Sequence, residues 1–363
     1  TAGIQIQACP NAGGNEDSSV KLRGHDSRHY TVLMDGIPQS MSGVMGGGYV
    51  NWNAIPLGMV ERIEIIKGAK SAAYGQSEGG VINIITKKSA DAGELQLTTG
   101  NNDRRQYIFN YGVQTDKLGF RVYANKSEQD AYLRNSDYDN EQTGINLNYK
   151  LSQTDSLRFN YDHQQLKRGL VIANNTSNFD SRYPISSGDT FANSNAAPED
   201  GSYTKIYRNN FNVTWNSDRD NGSDSLTYWK NYEKQREHNV NAGKVMFDRY
   251  NVTDKSSGVM YKGNAKVNDK HHLGYGVDYK RLRYGYGWYN SNATVTSNGE
   301  TKPAGGALYP SQKLDVWGVY IEDNWQINDR WLTNIGLRYD KMKGDRDAAQ
   351  ATNIVSMNES ALS

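Results

Sequence analysis

The chain has 363 residues, enough for two or three domains, and its 41 basic and 40 acidic residues leave a formal charge of +1, which excludes any general attraction to nucleic acid. One cysteine, Cys9, excludes a disulfide scaffold and a Cys-based zinc centre. Hydrophobic residues are 36% of the chain, low for a soluble domain, but 11% aromatics and near-zero charge argue against disorder. No apolar run approaches the ~20 residues of a membrane-spanning helix. A membrane β-barrel stays open, because its strands need apolar residues on one face only.

The first ninety residues carry three compact apolar segments, at 20–39, 55–68 and 71–88. Residues 32–34 run into Asp35-Gly36, a short strand entering a turn. Residues 60–66 are bounded by Pro56 and Gly68, and 81–85 are wholly apolar, as in a buried strand. These segments predict a small mixed α/β domain over residues 1–90.

From residue 91 the texture becomes repetitive. Leu118, Phe120, Val122 and Ala124 alternate with Gly119, Arg121, Tyr123 and Asn125. Leu157, Phe159 and Tyr161 alternate with Arg158, Asn160 and Asp162, and Trp331, Thr333, Ile335, Leu337 and Tyr339 with Asn334, Gly336, Arg338 and Asp340. This period of two predicts strands with one apolar and one polar face. About eleven such segments lie between Glu94 and Met342. Short polar links, near 114–117, 152–156, 217–224, 268–270 and 328–330, alternate with long ones near 129–141, 168–203, 239–254 and 286–311. Only the first hairpin, at 101–103, lacks a long loop on the long side. An antiparallel up-and-down barrel with tight turns at one rim and long loops at the other has this pattern. Trp215, Trp288, Trp317, Trp325 and Trp331 sit near strand ends, as interfacial girdles require. Soluble sandwiches, propellers and carbohydrate-binding solenoids also use period-two strands, but nothing in them demands loop lengths that alternate by side.

No sequence signature of catalysis is present: Gly-x-Ser-x-Gly, His-Glu-x-x-His and the phosphate-binding Gly loop are missing, and the run Gly46, Gly47, Gly48 lacks the Lys-Ser/Thr ending. The expectation is a protein that is not an enzyme and carries no cofactor and no resident metal.

In the first segment, "LRG" (22–24), "VLMDGIP" (32–38), "IPLGMVERIEIIKG" (55–68) and "YGQSEGGVINIITKK" (74–88) follow one another in the order and near the spacing of one known domain. They resemble the plug of TonB-dependent outer-membrane receptors, and strands such as "VYIEDNWQINDRWLTNIGLRYD" (319–340) resemble the barrel of the same family. The resemblance implies an all-β transmembrane barrel of 22 antiparallel strands around a small N-terminal mixed α/β plug. About eleven strands are near half of that number, so the chain is expected to hold the plug (1–90) and the N-terminal half of the barrel (91–363). The N-terminal coupling segment and the other barrel half would then lie outside it.

The resemblance also implies roles. Arg23 and Lys67 occupy positions that in the family form a buried charge cluster with barrel glutamates. Lys67-Gly68-Ala69 stands where Arg-Gly-Pro is usual, and lysine lacks the bidentate carboxylate fork of arginine. The apical plug loops follow "LRG" and "DGIP", which places His25, Arg28, His29, Met41, Met45, Tyr49 and Trp52 at the ligand surface. The long loops add Tyr183, Trp288, Tyr289 and Tyr309. Aromatic rings and arginine suit an anionic, catecholate-like iron chelate, while His and Met also suit direct metal or haem ligation. The function implied is energised uptake of a scarce, bulky nutrient across the bacterial outer membrane, foremost a ferric siderophore, with cobalamin or haem as the alternative. Its partners would be the TonB-ExbB-ExbD energising complex, the iron-chelate ligand and outer-membrane lipid. A non-transporting adhesin or glycan-binding barrel and a passive porin are the competing classes, and a porin has no need of a separately folded plug.

Overall fold

The computed structural model describes residues 4–6, 20–25, 29–39, 50, 52, 55–66, 72–75, 79–88, 91–177, 179–186, 199–241, 244–290, 295–297, 300–302, 307–308, 311–347 and 355–362. The side chains of 4–6, 57, 237, 241–253, 284–312, 345–357 and 362 lie outside that description.

The inner domain begins with β1 (Ile4–Ile6) paired antiparallel to β2 (Val20–Leu22). A four-stranded sheet follows, made of β3 (Tyr30–Met34), β4 (Ile37–Pro38), β5 (Val60–Ile66) and β6 (Gly80–Thr86), in the order β4-β3-β6-β5 with β3 and β6 parallel. The apolar run in β6 makes it a central strand, with Val81, Ile82 and Ile84 almost fully buried. Leu22, Tyr30, Val32, Val50 and Ile55 complete the core. Asp35 and Gly36 both take positive φ, 51° and 80°, and form the two-residue turn between β3 and β4. An Asp-Gly pair tolerates that left-handed geometry, and its twist matches the flanking strands.

Around this domain stands a wall of long antiparallel strands. It comprises β7 (Ala92–Gly100), β8 (Arg104–Gln114), β9 (Leu118–Gln129), β10 (Tyr138–Lys150), β11 (Asp155–Gly169), β12 (Tyr203–Arg219), β13 (Gly222–Asn241), β14 (Lys244–Asp254), β15 (Ser257–Lys266) and β16 (His271–Asn290). Three short strands, β17 (Val295–Ser297), β18 (Glu300–Lys302) and β19 (Ala307–Leu308), precede β20 (Ser311–Asn328), β21 (Trp331–Asp347) and β22 (Val355–Leu362). β14 and β15 both lie between β13 and β16 and form the two parts of one interrupted span. Among the described residues the wall therefore has twelve positions, from β7 to β22. That is one more than the eleven expected. The addition is β22, "VSMNESAL", which has too little alternation to be read as a strand and is held by its register against β21. The expected long link at 239–254 is largely strand, since β13 runs to Asn241 and β14 starts at Lys244.

Burial along the wall is inverted relative to a soluble protein. Leu95 is 70% exposed, Trp331 67% and Leu337 54%, whereas Arg338 is 2%, Gln164 2% and Arg208 3% exposed. An outward apolar face and a polar inner face are stable only where the outside is hydrocarbon. No described helix is long and apolar enough to cross a membrane, so any crossing is made by strands.

The inner domain has a defined direction within the wall. Thr86 and Asp35, at the C-terminal ends of β6 and the β3 strand, meet Arg158, close to the short-turn end of β11. Gln39, level with Val32 through its backbone bond, meets Arg208 much farther up β12. The N-terminal ends of β3 and β6, with His29 and Gly79, therefore point toward the long-loop rim.

Candidate functional site: the interface between inner domain and wall

The inner polar face of the wall grips the inner domain at separate points. Asp35 uses its turn position to project a carboxylate between the two bodies. It accepts from the Thr86 amide (3.0 Å) and Thr86 Oγ1 (2.6 Å), and from Arg158 Nη2 on β11 (3.0 Å). The Arg208 guanidinium on β12 donates to Gln39 Oε1. Asn231 Nδ2 donates to the Pro38 carbonyl (3.2 Å), Asn110 Nδ2 to Gly58 (3.2 Å) and Arg121 Nε to Lys88 (3.0 Å). One apolar socket interrupts this polar set, where Ile37 packs with Trp229, Met260 and Leu282.

The densest contact surrounds the 3-10 turn Ala72–Tyr74. Arg338 on β21 donates from Nε to Asp340 (2.8 Å) and from Nη2 to both Asp278 (2.8 Å) and Asp340 (2.7 Å), and its Nη1 reaches the Ala72 carbonyl (3.3 Å). Lys280 Nζ lies 3.2 Å from the other oxygen of Asp278. Glu322 on β20 accepts from the Ala72 amide (3.1 Å), and Lys262 lies 5.5 Å above the Tyr74 ring. Burial pushes the Tyr74 hydroxyl pKa up, and the carboxylates of Glu64 and Glu322 add to it, so this phenol stays neutral. A Cβ on Gly318 would overlap the Arg338 guanidinium, which is why the β20 strand carries glycine there. A cavity of about 250 Å³ beside the turn, lined by Leu33, Tyr74, Trp229, Lys262, Asp278 and Arg338 among others, is large and polar enough for several waters.

The expected cluster at Arg23 and Lys67 differs from this. Arg23 sits with Gly24 at the tip of a tight turn closed by reciprocal backbone bonds between Leu22 and His25, both with positive φ. A two-residue turn presents its side chain outward, so Arg23 is exposed and makes no ion pair among the described residues. Lys67 lies outside the described residues. Among the described residues a charge cluster is centred on Arg338, on the wall, and Glu322 meets a backbone amide. Sequence reasoning passed over Arg158, Arg208, Asp278, Arg338 and Asp340. The available signal was charge on the inward face of a barrel strand, where water alone does not require it.

Of the expected ligand-surface residues, His25 and His29 lie together, with ring centroids 5.8 Å apart, and Gly79 donates to the His29 carbonyl (2.8 Å). Trp52 instead packs half-buried on the inner core against residues such as Val50 and Ile55, because a large apolar ring gains more there than at a wet surface. Arg28, Met41, Met45, Tyr49 and Tyr309 lie outside the described residues. Trp288 and Tyr289 belong to β16, opposite Tyr250 and Arg249, and their side chains lie outside the description. Tyr183 lies under Arg182 (5.5 Å) in the long loop after β11. Among the described residues no group of three or more His, Cys, Asp or Glu is placed to hold a metal ion.

A polar-lined wall with an apolar exterior, folded around a separately built inner domain, defines a plugged transmembrane β-barrel. The TonB-dependent receptor plug domain matches residues 1–82 and the TonB-dependent receptor-like β-barrel matches residues 89–363, so the chain belongs to the TonB-dependent receptor family. That family comprises receptors and transporters, not enzymes. The chain is 28% identical over 385 residues to the ferric enterobactin receptor of Pseudomonas aeruginosa, covering 93% of this chain and 50% of that protein. It is 24% identical over 387 residues to the ferrienterobactin receptor of Escherichia coli K12, covering 88% and 48%. The crystal structure of the ferripyoverdine receptor of the Pseudomonas aeruginosa outer membrane, bound to ferripyoverdine, superposes with a TM-score of 0.73 at 14% identity, covering 100% of this chain and 50% of that one. The chain thus spans about half the length of the relatives it matches.

Proposed function

We propose that the whole protein takes up a ferric siderophore across the bacterial outer membrane, driven by TonB with ExbB and ExbD. The observation that carries this reading is the set of separate polar contacts through which the wall holds the inner domain. Charged and amide hydrogen bonds exchange readily for water, at about 0.5–1.5 kcal/mol net each for neutral pairs, whereas a continuous apolar contact would resist displacement. An insert held in this way can be shifted by a pull and can settle back. Likeness to proteins described as ferric enterobactin receptors supports the ligand class. Residues 1–90 act in this reading as the plug and 91–363 as the first half of the barrel. His25, Arg28 and His29, the segment with Met41, Met45 and Tyr49, and Trp288 with Tyr289 form the ligand surface, and Trp52 supports it from the plug core.

The test is ligand binding by the full-length protein, read as quenching of tryptophan fluorescence by a ferric tris-catecholate, cobalamin and haem in parallel. Saturable quenching by the ferric catecholate, lost when residues 1–90 are deleted from a barrel that still inserts, is the expected result. Preference for cobalamin or haem would reassign the ligand. Undiminished binding by the plugless barrel would remove the plug from the site.

A further inference from the structure

The cavity beside the turn Ala72–Tyr74 holds one cation more than its acids neutralise. Lys262 on β15 projects into it from the wall, while Val259, of the opposite parity, is 41% exposed on the outer face. In register, Lys262 faces Ser225 on β13 and Gly276 on β16, and the row continues through Tyr320 on β20 to Arg338 on β21. Neither strand neighbour of Lys262 carries a charge. A Cβ on Gly276 would overlap the Tyr320 ring, which lies over that glycine and separates the two cations of the row. Arg338 is 6.0 Å from the centre of the same ring.

The acids nearby are already engaged. One row toward the long-loop rim, Asp278 faces Met260, and Asp340 lies beyond Gly318. Arg338 donates to Asp278 (2.8 Å) and Asp340 (2.7 Å), and Lys280 lies 3.2 Å from the second oxygen of Asp278. One row toward the short turns, Glu322 accepts from the Ala72 amide (3.1 Å). The cavity lining therefore carries three cations, Lys262, Lys280 and Arg338, against two carboxylates. Lys262 is the one left over. Among the described residues it makes no ion pair, and its ammonium rests on the face of Tyr74, 5.5 Å from the ring centre. An ammonium carries three N–H donors, and one ring face does not satisfy them all. Burial also keeps the Tyr74 phenol protonated, so it cannot supply the missing negative charge.

We propose that a small inorganic anion, chloride in an ordinary medium, binds in this cavity against Lys262. It completes the charge balance of the lining, and the space of about 250 Å³ accepts it together with waters. Because the plug supplies Tyr74 and the wall supplies Lys262, the anion is held only while the two are docked. Its binding therefore favours the docked plug by mass action. The site needs no assumption about the ligand taken up.

The experiment uses crystals of the full-length protein in which chloride has been exchanged for bromide, with anomalous diffraction at the bromine edge. A bromide peak in contact with Lys262 Nζ is expected in the unsubstituted protein and absent in Lys262→Gln. Lys266→Gln, at the short-turn rim where that lysine pairs with Asp269 (2.7 Å), should keep the peak. In solution, hydrogen exchange of residues 72–75 is compared in sodium chloride and in sodium gluconate, a bulkier anion, at equal ionic strength. At a chloride concentration ten times its dissociation constant, exchange should slow about tenfold, and Lys262→Gln should lose that difference. Heat-modifiable migration confirms that each variant is folded. No bromide in the cavity, a peak that survives Lys262→Gln, or equal exchange in the two salts would each overturn the proposal.

Discussion

Arg338 shows how one side chain joins the two bodies. Its guanidinium is shared between two carboxylates of the wall and a carbonyl of the inner domain, shielded from bulk solvent. Arg338→Ala leaves Asp340 buried without its cation and Asp278 with Lys280 alone, and should cost about 3–5 kcal/mol. Arg338→Lys should recover only part of this, because an ammonium cannot reproduce the planar fork. Hydrogen exchange of residues 72–75 in the full-length protein should speed up strongly in the first variant and partially in the second; unchanged exchange would remove Arg338 from the docking role. In the long loop after β11, Asp180 is a second residue with a measurable signature. Bonds from the Arg182 side chain and amide hold its carboxyl well below the ordinary 3.8, to about 2. Because the folded value is depressed, the stabilisation is fully present above 3.8 and fades as pH falls through about 2. A carboxyl titration by NMR should therefore be flat from neutral pH to about pH 4, and Arg182→Ala should move the midpoint back toward the ordinary value.

Strands and loops extend the same logic. The turn at Asp35-Gly36 was legible in the sequence because the dipeptide dictates a left-handed hairpin, but its role as a tether was not, since Arg158 is 123 residues away in the chain. β11 and β21 were legible by alternation, which also sorted Arg158 and Arg338 onto the polar face. β22 was not, because its partner β21, more than its own residues, makes it a strand. Arg23 shows what a motif leaves open: it fixes the backbone turn, while the partners of the side chain depend on what packs against that turn. The long loops are also built elements. Asn135, at φ 62°, donates to the carbonyls of Leu170 and Ser202, and the fully buried Asn174 bonds to the carbonyls of Asp180, Tyr183 and Pro184, so two loops are knotted by amides. Gly318 tests the fit between strands. Gly318→Val improves β propensity yet drives a side chain into Arg338, so the inner domain should loosen while the barrel keeps its heat-modifiable migration. Proteolysis at residues 72–75 should rise; protection equal to that of the unsubstituted protein would contradict the close packing.

At the scale of the whole molecule, the low apolar fraction has a structural cause. Alternate residues of each wall strand face inward and are largely polar, so fewer apolar residues suffice than in a soluble core. The strand pattern made the barrel legible, and the ordered plug motifs made the family legible. The proposed ligand surface was far less so, because it depends on loop side chains whose spacing carries no period. The proposed function requires that energy from TonB move the plug to admit a ferric chelate. The most direct measurement is uptake of radioactive iron, supplied as a ferric catecholate, by cells expressing the full-length protein as their sole receptor, with and without TonB. Accumulation is expected in cells with TonB, and surface binding without accumulation in cells lacking it. Equal accumulation in both would contradict it.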